Sequence, residues 1–137
     1  MWWIYALLSA AFAALTAIFA KVGIKGVNSD LATAVRTVVI LFIAWGIVFA
    51  RGSAKELSSL NRENIIFLVL SGIATGLSWV FYFKALSLAD ASKVAPIDKL
   101  SVAFVIILAA LFLKETITIK TAIGAGLIIG GSLVLIF

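Results

Sequence analysis

Five runs of mostly apolar residues, each about twenty residues long, dominate this chain of 137 residues. A helix of about twenty residues crosses the hydrocarbon core of a bilayer and satisfies its own backbone hydrogen bonds there. We therefore expect an all-α integral membrane protein with a single transmembrane domain over residues 1–137. The five helices are predicted at about residues 3–22, 31–50, 65–86, 91–113 and 119–137.

Composition excludes several classes of function. Hydrophobic residues make up 64% of the chain and charged residues 12%, whereas soluble domains are about half apolar and a quarter charged. The absence of Cys and His excludes disulfide frameworks, Cys/His metal sites and catalysis through either side chain. No link between helices carries an acid/base or nucleophile constellation, so we expect no enzyme, cofactor or metal site. The basic residues are scattered at helix boundaries rather than gathered on a soluble face, which argues against nucleic acid.

The polar segments that link the spans predict where two helices begin. Ser29 or Asp30 is expected to cap the second helix, because short polar side chains accept hydrogen bonds from the free amides there. Ser53 and Glu56 have the spacing of a capping box, which predicts a short surface helix between the second and third spans.

Several charged residues lie inside the spans, all of them nearer to the same face of the membrane. Arg36 lies about five residues inside the second span, and Asp98 and Lys99 lie about seven residues, or roughly 10 Å, inside the fourth. Such charges are costly in lipid unless they pair or face a polar cavity. We expect Arg36 and Asp98 to pair, either as a structural salt bridge or as part of a transport site. Lys21 and Lys84, at helix ends, are expected to extend their ammonium groups to the interface.

Pro96 interrupts the fourth span, because proline has no N–H and clashes with the preceding turn. Two outcomes remain open: a simple kink, or a break with Asp90 capping the first segment and a second beginning near Pro96.

Trp79 and Phe83, one turn apart, either form the wall of a pocket or pack against neighbours. The excess of positive charge favours an anionic or carboxylate-bearing substrate. Asp98 is the only acid well inside a span, so proton coupling would pass through it.

The last span contains Gly126 and Gly130 at the spacing that lets two membrane helices approach closely. They predict a dimer interface, with packing inside the chain as the alternative. Lys and Arg are almost evenly divided between the two membrane faces, six against five. Orientation follows the imbalance of these residues, so such a chain can insert both ways and pair as an antiparallel homodimer. The alternative is that local factors fix one orientation.

Several segments carry a family resemblance: FYFKAL at residues 81–86, the ADAS that follows, LFLKE ending at Glu115, and TITIKTAIGAGLIIGGSLVLI. With Arg36 in LATAVRTVVIL, nearly the whole chain resembles the EamA family of the drug/metabolite transporter superfamily. Larger relatives in that family have ten spans built from two inverted five-span repeats. The resemblance implies that this chain is one such repeat, and that an antiparallel homodimer would rebuild the ten-helix transporter.

The resulting prediction is a multi-pass protein of the plasma or inner membrane, surrounded by lipid, that moves a small organic metabolite by alternating access. Two alternatives stay open: a proton-coupled small multidrug exporter and a non-transporting membrane subunit. The small multidrug exporters of the superfamily use a glutamate in helix one, and this chain has none there. The predicted substrate or coupling residues are Arg36, Trp79, Lys84, Pro96, Asp98 and Lys99, and the predicted dimer contacts are Gly126 and Gly130.

Overall fold

The computed structural model describes residues 1–136, which form helices and links without a strand. Five stretches are long and apolar enough to cross a membrane, which confirms the all-α class and the number of spans. The last predicted position of the fifth span, residue 137, lies outside the described residues. The helices are α1 (Trp2–Gly23), α2 (Ser29–Ala50), a 3₁₀ helix (Ser53–Ser59), α3 (Arg62–Leu88), α4 (Ala91–Asp98), α5 (Ser101–Phe112) and α6 (Ile119–Ile136).

α2 is capped by Asn28 rather than by either of the two predicted residues. Asn28 is the N-cap, and its side-chain oxygen accepts hydrogen bonds from the amides of Asp30 at 2.8 Å and Leu31 at 3.2 Å. The prediction of Ser29 or Asp30 was therefore wrong by one or two positions. All three residue types make good caps, and the choice among adjacent candidates depends on where the chain leaves the preceding turn.

The link between α2 and α3 does contain a short helix, but of the 3₁₀ type. It begins after Gly52, which has a φ of 69° and offers no side-chain cap. The predicted capping box of Ser53 and Glu56 was therefore wrong, although it located the helix correctly. Left-handed backbone at the N-cap position favours glycine, which has no Cβ to clash.

α3 begins at Arg62, three residues before the predicted start. The side chain of Asn61 accepts a hydrogen bond from the amide of Asn64 at 2.8 Å, and the Asn61 carbonyl accepts one from Ile65. A capping asparagine therefore extends the helix over polar residues that precede the apolar run.

The fourth span is divided into α4 and α5, and the division lies after Pro96 rather than at it. Pro96 is inside α4, and Asp90 occupies the N-cap position without a side-chain capping bond. Lys99 and Leu100 stay in the right-handed helical region, and the amides of Leu100 and Val102 bond to carbonyls three residues back. These bonds overwind the chain for one turn. The interruption is thus a tight kink, because the amides of Leu100, Val102 and Ala103 stay bonded to carbonyls three residues back.

Contacts within the chain define two compact units. The first, residues 22–87, holds α2, the 3₁₀ helix and α3, and within it the 3₁₀ helix packs against α2. The second, residues 1–21 with 88–136, holds nearly all of α1 together with α4, α5 and α6, and within it α6 packs against both α4 and α5. Val94 on α4 and Ser132 on α6 are buried there.

Most of the large apolar side chains are exposed. Few residues of any span are buried, and side chains such as Phe42, Phe104 and Phe112 leave more than half of their surface uncovered. Exposed apolar area on this scale is incompatible with water as the neighbour. These surfaces fit the acyl chains of a bilayer.

Candidate functional site

Arg36 is the centre of the strongest polar arrangement in the unit formed by residues 22–87. Its guanidinium carbon lies 4.1 Å from the centre of the Trp79 ring and 5.4 Å from the centre of the Phe83 ring. Both distances are within the range of about 6 Å over which a cation is attracted to an aromatic face. The predicted site residues Arg36 and Trp79 are therefore brought together.

The helices place these groups by simple periodicity. Trp79 and Phe83 are four residues apart on α3, so they share one face of that helix. Phe83 is 3% exposed and the other two side chains are half-buried. Tyr82 packs edge-on against Phe83, with ring centres 6.4 Å apart. Arg36 on α2 meets this aromatic surface, so the cation–π contacts join α2 to α3.

The other polar side chains along this face of α2 are satisfied by the helix itself. The hydroxyl of Thr33 donates to the carbonyl of Ser29 at 2.9 Å, and the hydroxyl of Thr37 donates to the carbonyl of Thr33 at 2.8 Å. Polar groups inside a bilayer need such partners, because no water is available to them. Arg36 differs: within residues 22–87 no carboxylate lies within ion-pair distance of it.

This arrangement stabilises a cation without neutralising it. The aromatic faces lower the cost of burying the guanidinium, by about 2 kcal/mol where water is excluded. A guanidinium carries five N–H donors along its edge, and a cation–π contact supplies no counter-charge to them. That edge can hold a carboxylate or phosphate through two parallel hydrogen bonds.

On the fourth span, the two predicted site residues Asp98 and Lys99 contact each other. Lys99 donates from Nζ to Asp98 Oδ2 at 3.4 Å, with the two side chains 57% and 39% exposed. Neighbouring residues on a helix point in different directions, and a single long contact between exposed groups adds little stability. Arg36 and Asp98 belong to different units, and their mutual pairing stays a prediction. Pro96, one turn before, is half-buried.

Two lysines at helix ends behave differently from each other. Lys21, half-buried in the last turn of α1, donates from Nζ to the carbonyl of Ala89 at 2.7 Å. Its ammonium group is therefore bound by the link between α3 and α4, and its extension to the interface stays a prediction. Lys84 is exposed near the end of α3, as that expectation requires. The signal for the Lys21 contact in the sequence was the position of Ala89 directly after α3, because the carbonyls at a helix end have no partner within the helix.

The glycines of α6 are not needed for packing inside the chain. Gly126 and Gly130 are exposed, and a Cβ added to either would meet no other atom within 4 Å. The side of α6 that packs on its own unit carries Ser132 instead, which is buried. The alternative of internal packing is therefore unsupported for these two glycines, and their face is open.

The chain matches the model of the EamA-like transporter family over residues 1–137. It belongs to that family. A relative from Sinorhizobium sp., described as an uncharacterized transporter in the cobO 3′ region, is 52% identical over 134 residues, which cover 98% of this chain and 95% of the relative. No solved structure matches.

Membership of the EamA-like family confirms the resemblance seen in the sequence. With its five spans, the chain is a multi-pass membrane protein and a membrane transporter. The family also indicates transport rather than enzymatic catalysis.

Proposed function

We propose that this protein carries a small organic metabolite with a carboxylate or other anionic group across the membrane, by alternating access as an antiparallel homodimer. The observation that carries the proposal is the cation–π contact of Arg36 with Trp79, with no carboxylate partner for Arg36 inside its own unit. A charge that is retained inside a membrane span is a candidate for ligand binding.

The chemistry of the site suggests what the substrate contains. The N–H edge of Arg36 fits an oxyanion, and Trp79 and Phe83 beside it fit an apolar carbon skeleton. A simple inorganic anion would leave that aromatic surface uncovered. Lys84, Pro96, Asp98 and Lys99 remain proposed contributors to binding or coupling.

The first experiment identifies the ligand and then removes its anchor. Purified protein is screened by thermal stabilisation against carboxylic acids, amino acids, sugar phosphates and lipophilic cations. The best ligand is then used for uptake by proteoliposomes. We expect Arg36→Ala and Asp98→Asn to abolish transport while the dimer persists. Arg36→Lys should reduce the specificity constant about tenfold or more, because lysine keeps the charge and loses the planar fork.

Lys25→Gln is the matched control, since it removes an exposed cation from the link before α2 and should leave transport unchanged. Normal transport by both Arg36→Ala and Asp98→Asn would refute the site. Stabilisation by lipophilic cations, with proton release that requires Asp98, would favour the proton-coupled exporter instead. Stoichiometric co-purification with a larger protein would favour a non-transporting subunit.

The antiparallel dimer is supported by three features. The number of spans is odd, the Lys and Arg residues are nearly balanced between the faces, and the glycine face of α6 is open. Two copies in opposite orientation would place one polar half-site near each membrane face, as alternating access requires. Membrane-impermeant labelling of a cysteine added at the N-terminus tests this. Labelling of about half of the copies from each side is expected, and labelling from one side alone would exclude dual orientation.

A further inference from the structure

An apolar groove of about 250 Å³ lies between the end of α2 and the 3₁₀ helix, both in the unit of residues 22–87. Its volume lies just below the range of typical ligand pockets, about 300 to 1,000 Å³. Its walls are almost entirely apolar, and polar atoms come from Ser53 and Glu56 on the 3₁₀ helix. The groove is lined by Ala44, Trp45, Val48, Ser53, Glu56, Leu57 and Leu60.

The position of the groove limits what can fill it. α2 crosses the membrane and ends at Ala50, so the following link lies at the boundary between hydrocarbon and headgroups. Trp45, five residues before that end, packs against Phe49 with ring centres 5.7 Å apart and the rings tilted by 31°, and tryptophan favours this depth. Leu57 and Leu60 are 51% and 38% exposed. The neighbour of such a surface is a lipid acyl chain.

The groups beside the groove carry both signs of charge. A 3₁₀ helix has three residues per turn, so Ser53 and Glu56 are aligned on the side that lines the groove. Lys55 is the adjacent residue and Arg51 is the C-cap of α2. All three charged side chains are exposed, and within residues 22–87 none of them forms an ion pair.

We propose that this groove binds a phospholipid with a primary amine in its headgroup, of the phosphatidylethanolamine type. The acyl chain occupies the apolar groove, the ammonium donates to Glu56, and the phosphate meets Lys55 and Arg51. A glycerol headgroup would offer its phosphate to the two cations but no cation to Glu56, and a choline headgroup has no N–H to donate. The combination of one acid with two cations selects the zwitterion with a free amine.

Trp45 provides the probe, because it lines the groove. The variant Trp2→Phe/Trp3→Phe/Trp79→Phe keeps Trp45 as its one tryptophan and is reconstituted in unbrominated phosphatidylcholine. Lipids with brominated acyl chains are then added, with ethanolamine, choline or glycerol headgroups, and the quenching of Trp45 is measured. We expect half-maximal quenching at about fivefold lower mole fraction for the ethanolamine lipid than for the other two, the effect of one hydrogen bond to a charged group at a partly exposed site.

Glu56→Gln in the same background should abolish the preference for the ethanolamine lipid over the choline lipid. The matched control is Glu63→Gln, which removes an acid of the same region that does not line the groove and should keep the preference. Equal quenching by the three lipids, tighter binding of the glycerol lipid, or equal effects of the two variants would overturn the proposal. The measurement reads lipid contact alone, so it does not depend on the transported substrate.

Discussion

At the scale of single residues, the decisive feature is how Arg36 is held. Three types of group can stabilise a charge in a membrane span: a counter-ion, a polar cavity or an aromatic face. Here the aromatic faces of Trp79 and Phe83 provide part of the stabilisation. The free energy needed to keep the cation is thus lowered before any substrate arrives, and the proposed anionic substrate would need to supply only the counter-charge.

Asn28 controls the start of the helix that carries Arg36. Asn28→Ala should lower the free energy of unfolding by about 1 kcal/mol, because two backbone amides lose their acceptor. Unfolding of the purified protein in detergent measures the effect.

Asn28→Asp is the control for that substitution, since aspartate retains an acceptor oxygen at the same position and should be nearly neutral. An equal loss of stability in the two variants would show that the side-chain amide, rather than the capping oxygen, is what matters.

At the scale of elements, the end of α5 stores backbone strain. Lys114 has a φ of 56°, and the amide of Glu115 donates to the carbonyl of Ala109 at 3.2 Å to close the helix. A residue with a Cβ pays about 1 kcal/mol for left-handed backbone. The sequence offers lysine where most such helix ends have glycine.

Lys114→Gly should therefore raise the free energy of unfolding by about 1 kcal/mol relative to Lys114→Gln. Both variants remove the charge, so the difference between them isolates the backbone strain. Thermal unfolding in one detergent provides the comparison, and equal melting temperatures would mean that the chain tolerates the positive φ without cost.

The elements also show how far sequence reasoning extends. The spans were predictable, because about twenty apolar residues have few alternatives to a membrane helix. The kink was predictable from Pro96, but its location at Lys99 and Leu100 was not. The overwound turn forms because the amides of residues 100 and 102 bond to carbonyls three residues back rather than four. Arg36 was identifiable as a charge in an apolar run. Its contact with Trp79 was not, because the register between α2 and α3 is set by packing that no local pattern encodes.

At the scale of the whole molecule, two open glycine faces are candidates for the interface of the proposed dimer. Gly126 and Gly130 on α6 have the same spacing as Gly72 and Gly76 on α3, and no added Cβ in either pair would meet an atom within 4 Å. Substitution at these positions therefore tests association without disturbing the protomer.

Gly126→Leu/Gly130→Leu should convert the dimer to monomer, because two leucines prevent the close approach of the helices. Gly72→Leu/Gly76→Leu is the matched control and should leave the dimer intact. Energy transfer between labelled copies in liposomes measures association. The opposite result, with only the α3 variant dissociating, would move the interface to α3.

The length of α3 has a consequence for the choice of bilayer. Its 27 residues extend about 40 Å, whereas the hydrocarbon core of a typical bilayer is about 30 Å thick. The polar residues 62–64 at the start of the helix and Lys84 near its end leave 19 mostly apolar residues between them, about 29 Å long. An ordinary bilayer therefore matches α3, and a thinner or thicker one creates a mismatch that tilt of the helix or deformation of the lipid must absorb. Since α3 carries Trp79 and Phe83 near one end, its tilt changes the depth of the aromatic surface that receives Arg36. We therefore expect transport to depend on acyl-chain length, because thicker membranes draw α3 closer to the bilayer normal.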